Sequence, residues 1–141
     1  MAVAALALAT AIGLLYRSRN GTMRPAVPAP VGPAGAAPAR PGLTTADLGA
    51  PLGARATLVQ FSTAFCAPCR ATRQVLADVA AMTDGIAHVE IDAESHLDLV
   101  RRLDVRRTPT VLVLGPDGRI ARRASGQPRK ADVIAALGEV T

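Results

Sequence analysis

The chain reads as an α/β protein: a mixed central sheet flanked by helices, preceded by an N-terminal apolar helix and a Pro/Ala-rich linker. Three observations predict this. An apolar run of helical length opens the chain and ends in arginines. A proline-studded stretch follows it, too poor in bulky apolar residues to build a core. Beyond it, short apolar runs alternate with helical spacings in the order strand, helix, strand, helix, strand, strand, helix, which predicts a sheet covered by helices. The boundaries that follow are 1–19 for a transmembrane anchor, 20–42 for the linker and 43–141 for the folded domain.

From Ala2 to Tyr16 the residues are apolar apart from Thr10 and the tyrosine hydroxyl. As a helix this run spans roughly 22 Å, short of the ~30 Å hydrocarbon core of a bilayer. The flanks decide between an anchor and a cleaved leader. A secretory leader carries positive charge ahead of its apolar region and small residues at a cleavage site just after it. Here Arg17, Arg19 and Arg24 follow the run, no charged side chain precedes it, and the triplet Ala34-Gly35-Ala36 lies far downstream. Arginines on the carboxyl side favour keeping that side in the cytoplasm. The expectation is a single-pass anchor in the cell membrane with the main domain facing the cytoplasm; a cleaved leader with unusual flanks is the competing reading. Between Asn20 and Gly42, Pro25, Pro28, Pro30, Pro33, Pro38 and Pro41 predict an extended, semi-rigid tether.

In the folded part, Thr44 to Leu48 fits a short helix or a degenerate strand. Thr57 to Ser62 reads as a strand buried on both faces. Val75, Leu76, Val79 and Met82 recur at helical spacing and predict a helix from Ala67 to Met82, ended by the turn pair Asp84-Gly85. Ile86 to Ile91 is a second strand. Leu97, Val100 and Leu103 mark a second helix with Ser95 as its candidate cap. Thr110 to Leu114 is a third strand, and the turn residues Gly115 to Gly118 lead into a fourth, Arg119 to Ala124. Pro128 suits the first turn of a last helix, which is expected to bury Val133, Ile134 and Leu137.

Composition narrows the function. The 141 residues suffice for one domain and an appendage, and half are apolar, but only two Phe and one Tyr are aromatic, so the core is aliphatic. The net charge of +5 comes almost wholly from arginine. With no basic stripe interleaved with aromatics, no nucleic-acid partner is expected. Arg101, Arg102, Arg106 and Arg107 read as a solvated face, with lipid headgroups as the alternative.

The only two cysteines are Cys66 and Cys69, placed where the first strand gives way to the first helix of the folded part. A single close pair is not a structural disulfide framework. A helix start offers unpaired N–H groups and partial positive charge, which favour a thiolate at Cys66. Cys69, one turn along, is expected to be buried behind it. Cys66 is then the nucleophile that opens a partner's disulfide, and Cys69 resolves the mixed disulfide. Pro68 limits backbone freedom between them, and Arg70 adds a nearby cation. Zinc would need about two more ligands, and only His88, His96 and carboxylates remain, so no metal is expected.

With these residues in hand, the segment from Thr57 to about Val140 resembles the thioredoxin family. The resemblance rests on Cys66-Ala67-Pro68-Cys69, Asp92 ending the second strand, Thr108-Pro109 entering the third, and Gly126 before the last helix. It implies a cis Thr108-Pro109 peptide beside the pair, and a substrate groove formed by Phe65, Ala67, Pro68, Thr108, Pro109 and Gly126. It implies disulfide-bearing protein substrates, an upstream dithiol electron donor and no bound cofactor.

Two departures stand out. The family's buried aspartate, six positions before the first cysteine, is Gln60, and its partnering lysine corresponds to His88. These two are expected to tune the thiols, with His88 either relaying protons or simply hydrogen-bonded to Gln60. Ser62 and Phe65 stand where the family commonly carries tryptophan. The expected function is a membrane-tethered thiol–disulfide oxidoreductase reducing protein disulfides. The alternatives are an extracytoplasmic thiol exchanger for secreted or haem-carrying proteins, and a redox-inactive binding module.

Overall fold

The structure, a computed structural model, describes residues 2–26 and 41–141. Helix α1 (Ala2–Arg19) is followed by a two-residue strand β1 (Arg24–Pro25). The rest runs α2 (Thr45–Leu48), β2 (Ala56–Ser62), α3 (Ala67–Ala81), β3 (Ile86–Asp92), α4 (Leu97–Arg102), β4 (Thr110–Leu114), β5 (Ile120–Ser125) and α5 (Lys130–Gly138). The five strands form one sheet in the order β1-β5-β4-β2-β3. Only β2 and β3 are parallel; β4 runs against β2 and β5, and β1 against β5.

The centre of the sheet is β2, buried along its whole length, as its mostly apolar sequence requires. Side-chain alternation splits it between two cores. Val59 and Phe61 face Leu48 of α2 and Leu99 of α4 together with Ile91, Leu112 and Leu114. Leu58 faces Leu76 and Val79 of α3 and Val133 and Leu137 of α5, with Val111 and Val113. Each such fully buried side chain contributes roughly 1.5–3 kcal/mol. The two aliphatic cores clamp the strand that delivers the cysteines.

Local chemistry sets the helix ends. The open Thr44–Leu48 segment is a helix because Thr44 and Asp47 form a capping box: Asp47 N–H donates to Thr44 Oγ1 (3.2 Å) and Thr44 N–H to Asp47 Oδ2 (2.8 Å). Several expectations are corrected. Ser95 does not cap α4; its hydroxyl bonds Asp92, and His96 takes the cap position with no side-chain cap bond. Pro128 lies ahead of the α5 cap residue Arg129, outside the first turn. Ile134 is 45% exposed, its place in the core taken by Ala136. Met82 is also exposed, since α3 turns Cys69, Thr72, Leu76 and Val79 inward.

No residue of α1 is buried, and its length and composition fit a membrane span and equally a signal sequence. Both described ends of the expected linker join the sheet. Gly21 N–H donates to Ser125 O, Ala26 N–H to Ala121 O, and Ile120 N–H to Pro41 O (2.9, 3.1 and 2.9 Å), so the chain's start covers the outer edge of β5. Pro28, Pro30, Pro33, Pro38 and the triplet Ala34-Gly35-Ala36 lie outside the described residues.

Candidate active site

Strand β2 ends at Ser62, three residues turn, and Cys66 begins α3 as its N-cap. Its sulfur accepts the Cys69 N–H at 3.2 Å, satisfying one of the donors that a helix start leaves free. Pro68, in the first turn, has no N–H to leave unpaired. Cys66 is half-buried, while Cys69 is 1% exposed on the inner face of α3. The two are joined as a disulfide, with Cα atoms 5.2 Å apart. Cys66 is thus the more open of the two, and Cys69 lies behind it, almost fully buried.

The cis peptide Thr108-Pro109 is held against this corner. The hydroxyls of Thr63 and Thr108 lie 3.1 Å apart, tying the turn before Cys66 to the cis-proline loop. Gly126 N–H donates to Pro109 O at 2.7 Å, bringing the third groove residue to the same loop. Phe65 is fully exposed, and Ala67 and Pro68 are exposed beside it, giving the corner a bare apolar rim. The space over Gly126 is filled by the chain itself. Gly126 has φ +99, and a Cβ there would collide with the Asn20 side-chain oxygen and the Arg107 guanidinium. Arg107, next to Thr108, bonds Asn20, Ser125 O (2.6 Å) and the Tyr16 hydroxyl (3.2 Å).

Gln60 is fully buried beneath the pair. Its Nε2 donates to Ser62 Oγ and to the Cys69 carbonyl, both at 2.8 Å. The expected Gln60–His88 hydrogen bond is absent among the described residues. The Gln60 Oε1 and the His88 Nε2 are both buried without a partner, because His88 sits beside Leu58, two positions away from the glutamine. Burial pushes the His88 imidazole below its ordinary range; Glu90 pulls it up and Arg73 pushes it down. His88 is therefore neutral at neutral pH.

Sequence reasoning missed two residues that meet at this corner, Glu90 and Arg73. A cavity of about 490 Å³ is lined by Cys66, Cys69, Ser62, Glu90 and Arg73, with Asp92 at its rim. Glu90 lies directly across from Gln60 in the β2–β3 register. It takes a two-pronged ion pair from Arg73: Nε to Oε2 at 2.5 Å and Nη2 to Oε1 at 2.7 Å. That pair holds the Glu90 carboxyl below its usual range against the opposing effect of burial. Two signals could have found it. Arg73 is one helical turn past Cys69, and Glu90 is two strand positions past His88, on the same face.

A second opening, about 940 Å³, lies at the junction of α1 with the sheet and is lined by Tyr16, Arg19, Arg24, Arg106, Arg107 and Arg123 among others. Of the arginines expected to form one solvated face, Arg102 pairs with Asp47, Arg106 with Asp104 and Arg101 with Asp98, while Arg107 turns toward α1.

Comparison with known proteins agrees with this geometry. Thioredoxin H5 from Oryza sativa subsp. japonica is 28% identical over 72 residues, 51% of this chain and 53% of that protein. The chain therefore spans about half the length of that relative. Among solved structures, a mutant thioredoxin from Halobacterium salinarum NRC-1 superposes with a TM-score of 0.57 at 23% identity, covering 62% of this chain and 75% of its own. Mitochondrial thioredoxin 3 from Saccharomyces cerevisiae superposes at 0.53 and 18% identity, covering 60% and 78%. At these identities the structures speak for the fold alone. The thioredoxin family model matches residues 49–139, well over half of the sequence, and on that ground the chain belongs to the thioredoxin family.

Proposed function

We propose that the chain is a membrane-tethered thiol–disulfide oxidoreductase that reduces disulfides in proteins through Cys66 and Cys69. The observation that carries this reading is the asymmetry of the pair, one cysteine the more open at a helix start and the other almost fully buried behind it. In the reduced protein the Cys69 N–H and the α3 dipole favour the Cys66 thiolate. That thiolate attacks one sulfur of the substrate disulfide and displaces the other as a thiolate. Cys69 then attacks Cys66, forming the intramolecular disulfide seen here and freeing the second substrate sulfur. An upstream dithiol protein returns two electrons to the pair, and no bound cofactor is needed. The groove residues Phe65, Ala67, Pro68, Thr108, Pro109 and Gly126 receive the substrate backbone, Asn20 and Arg107 giving way over Gly126. Gln60 holds the Cys69 carbonyl in place.

In this reading residues 1–19 anchor the protein and 43–141 form the working domain on the cytoplasmic side. The first test is insulin reduction with dithiothreitol as the donor: the wild type accelerates it, and Cys66→Ser abolishes the acceleration. A wild type no faster than the variant would leave a binding module. For the anchor, a reporter fused after Thr141 that is active only in the cytoplasm is the expected result; activity on the other side would replace this reading with the extracytoplasmic exchanger.

A further inference from the structure

We propose that Glu90, acting across the cavity beside the cysteines, is the group that takes the Cys69 proton when the mixed disulfide is resolved. This rests on the oxidoreductase reading and assigns a residue to its second step.

A buried thiol must lose its proton to attack. The side chain directly under the pair, Gln60, cannot accept one. Its amide is already committed as donor to Ser62 Oγ and the Cys69 carbonyl. Those bonds give the corner a direction. Ser62 accepts from Gln60, so its single hydroxyl proton is left to donate elsewhere, and Ser62 lines the cavity that it shares with Glu90. Cys69, Ser62 and Glu90 line one cavity of about 490 Å³, large and polar enough to hold several waters. The carboxylate thus stands one strand over from the position where a proton acceptor is missing, at the same level of the sheet.

The charged groups facing Glu90 support an ionised acceptor. Arg73 of α3 forms the two-pronged pair, and Arg70 of α3 lines the same cavity. On its own strand, His88 is neutral because burial holds its pKa down, and Asp92 is tied to Ser95 and the Glu94 N–H. From β2 only the neutral Gln60 and Ser62 approach. Arg73 keeps the carboxylate charged and oriented beside the cavity.

The step balances. The Cys69 thiol passes its proton through a cavity water to Glu90. The Cys69 sulfur bonds to Cys66 Sγ, and the bond between Cys66 and the substrate sulfur breaks. That sulfur leaves with the electron pair and takes up the proton that Glu90 returns to the cavity water. No electron acceptor beyond the substrate disulfide is required.

The experiment is stopped-flow reaction of the full reduced chain with the aromatic disulfide dithiobis-nitrobenzoate. One coloured thiolate is released when Cys66 attacks and a second when Cys69 resolves, so the two steps are read separately. For Glu90→Gln the first phase is expected within twofold of wild type. The second should slow by at least about tenfold near neutral pH and lose the acid limb of its pH profile, with Glu90→Asp recovering part of the rate. Arg73→Gln keeps the carboxylate but frees it, so the acid limb should persist and move to higher pH. A second phase in Glu90→Gln with the wild-type rate and pH dependence overturns the proposal. Identical profiles for Glu90→Gln and Arg73→Gln would also overturn it, since they would mean that only the ion pair's structural support matters. A wild type that never releases the first thiolate overturns the oxidoreductase reading, and this proposal with it.

Discussion

Arg73 beside β3 and the arginines Arg107 and Arg123 beside the docked chain start find opposite kinds of partner, although Arg122 of β5 pairs with Glu139. At the β3 margin Arg73 meets a carboxylate, Glu90, and the pair stands beside the redox sulfurs. At the β5 margin Arg123 donates to two backbone carbonyls, Leu103 O at 2.5 Å and Asp104 O at 2.6 Å, and Arg107 reaches Ser125 O, Asn20 and the face of Tyr16. Neither they nor Arg19 and Arg24 have a carboxylate partner among the described residues. The reason lies in the chain's start. Its first acidic residue is Asp47, so the segment that docks on β5 brings only neutral acceptors. A guanidinium with five donors serves there as a clamp. The β3 margin keeps a charge that can move a proton; the β5 margin uses charge to hold structure.

This contrast can be broken by substitution. Arg123→Ala removes one part-buried and one exposed bond to backbone carbonyls and should cost about 1–2 kcal/mol in denaturant unfolding, while the insulin reduction rate per folded molecule stays at the wild-type value. A loss below about 0.5 kcal/mol would mean the clamp is ornamental. Gly126→Ala places a side chain at φ +99 and into Asn20, so a cost of about 1–3 kcal/mol is expected. Faster amide exchange at Gly21 should accompany it, because that N–H bonds Ser125 O next to the displaced contact. Arg73→Ala, at the opposite margin, breaks an exposed ion pair and should change stability by no more than about 1 kcal/mol. In the same variant the Glu90 carboxyl should titrate at higher pH by NMR, since the guanidinium that held it down is gone.

The smallest effect concerns Asp47 of α2, which pairs with Arg102 of α4. The Thr44 N–H and the Arg102 guanidinium lower its carboxyl from 3.8 to about 2. A depressed acid stabilises the fold above its unfolded pKa and loses that contribution as pH falls through its folded value. Wild type should therefore exceed Asp47→Asn by a constant amount above pH 3.8, with the two curves converging as pH approaches about 2. Parallel curves across that window would show that the capping box carries no net charge effect.

Much of the working corner was legible along the chain because its parts are local. Cys66, Pro68 and Cys69 lie within one helical turn, so strand-to-helix patterning placed one sulfur at the helix start and the other inside. Elements fell within one or two residues of expectation where apolar periodicity was strong, as in β2, α3 and β4. Where the signal depended on which face an element turns inward, expectation slipped: Met82 and Ile134 carry the helical spacing but point to solvent. The Glu90–Arg73 pair was harder to read for another reason. Its members are separated by about two helical turns, a loop and most of a strand, and the packing of α3 against β3 brings them together.

Local order along the chain determined the strand-helix alternation, the apolar start and the pairing of two cysteines across one turn, because propensity, capping and thiol spacing act over a few residues. Tertiary packing alone decided which charged groups accompany the sulfurs and where the chain's start comes to rest. Strand register and edge pairing join residues that no periodicity links, and the acceptors present at each meeting decide whether an arginine finds a carboxylate or a carbonyl.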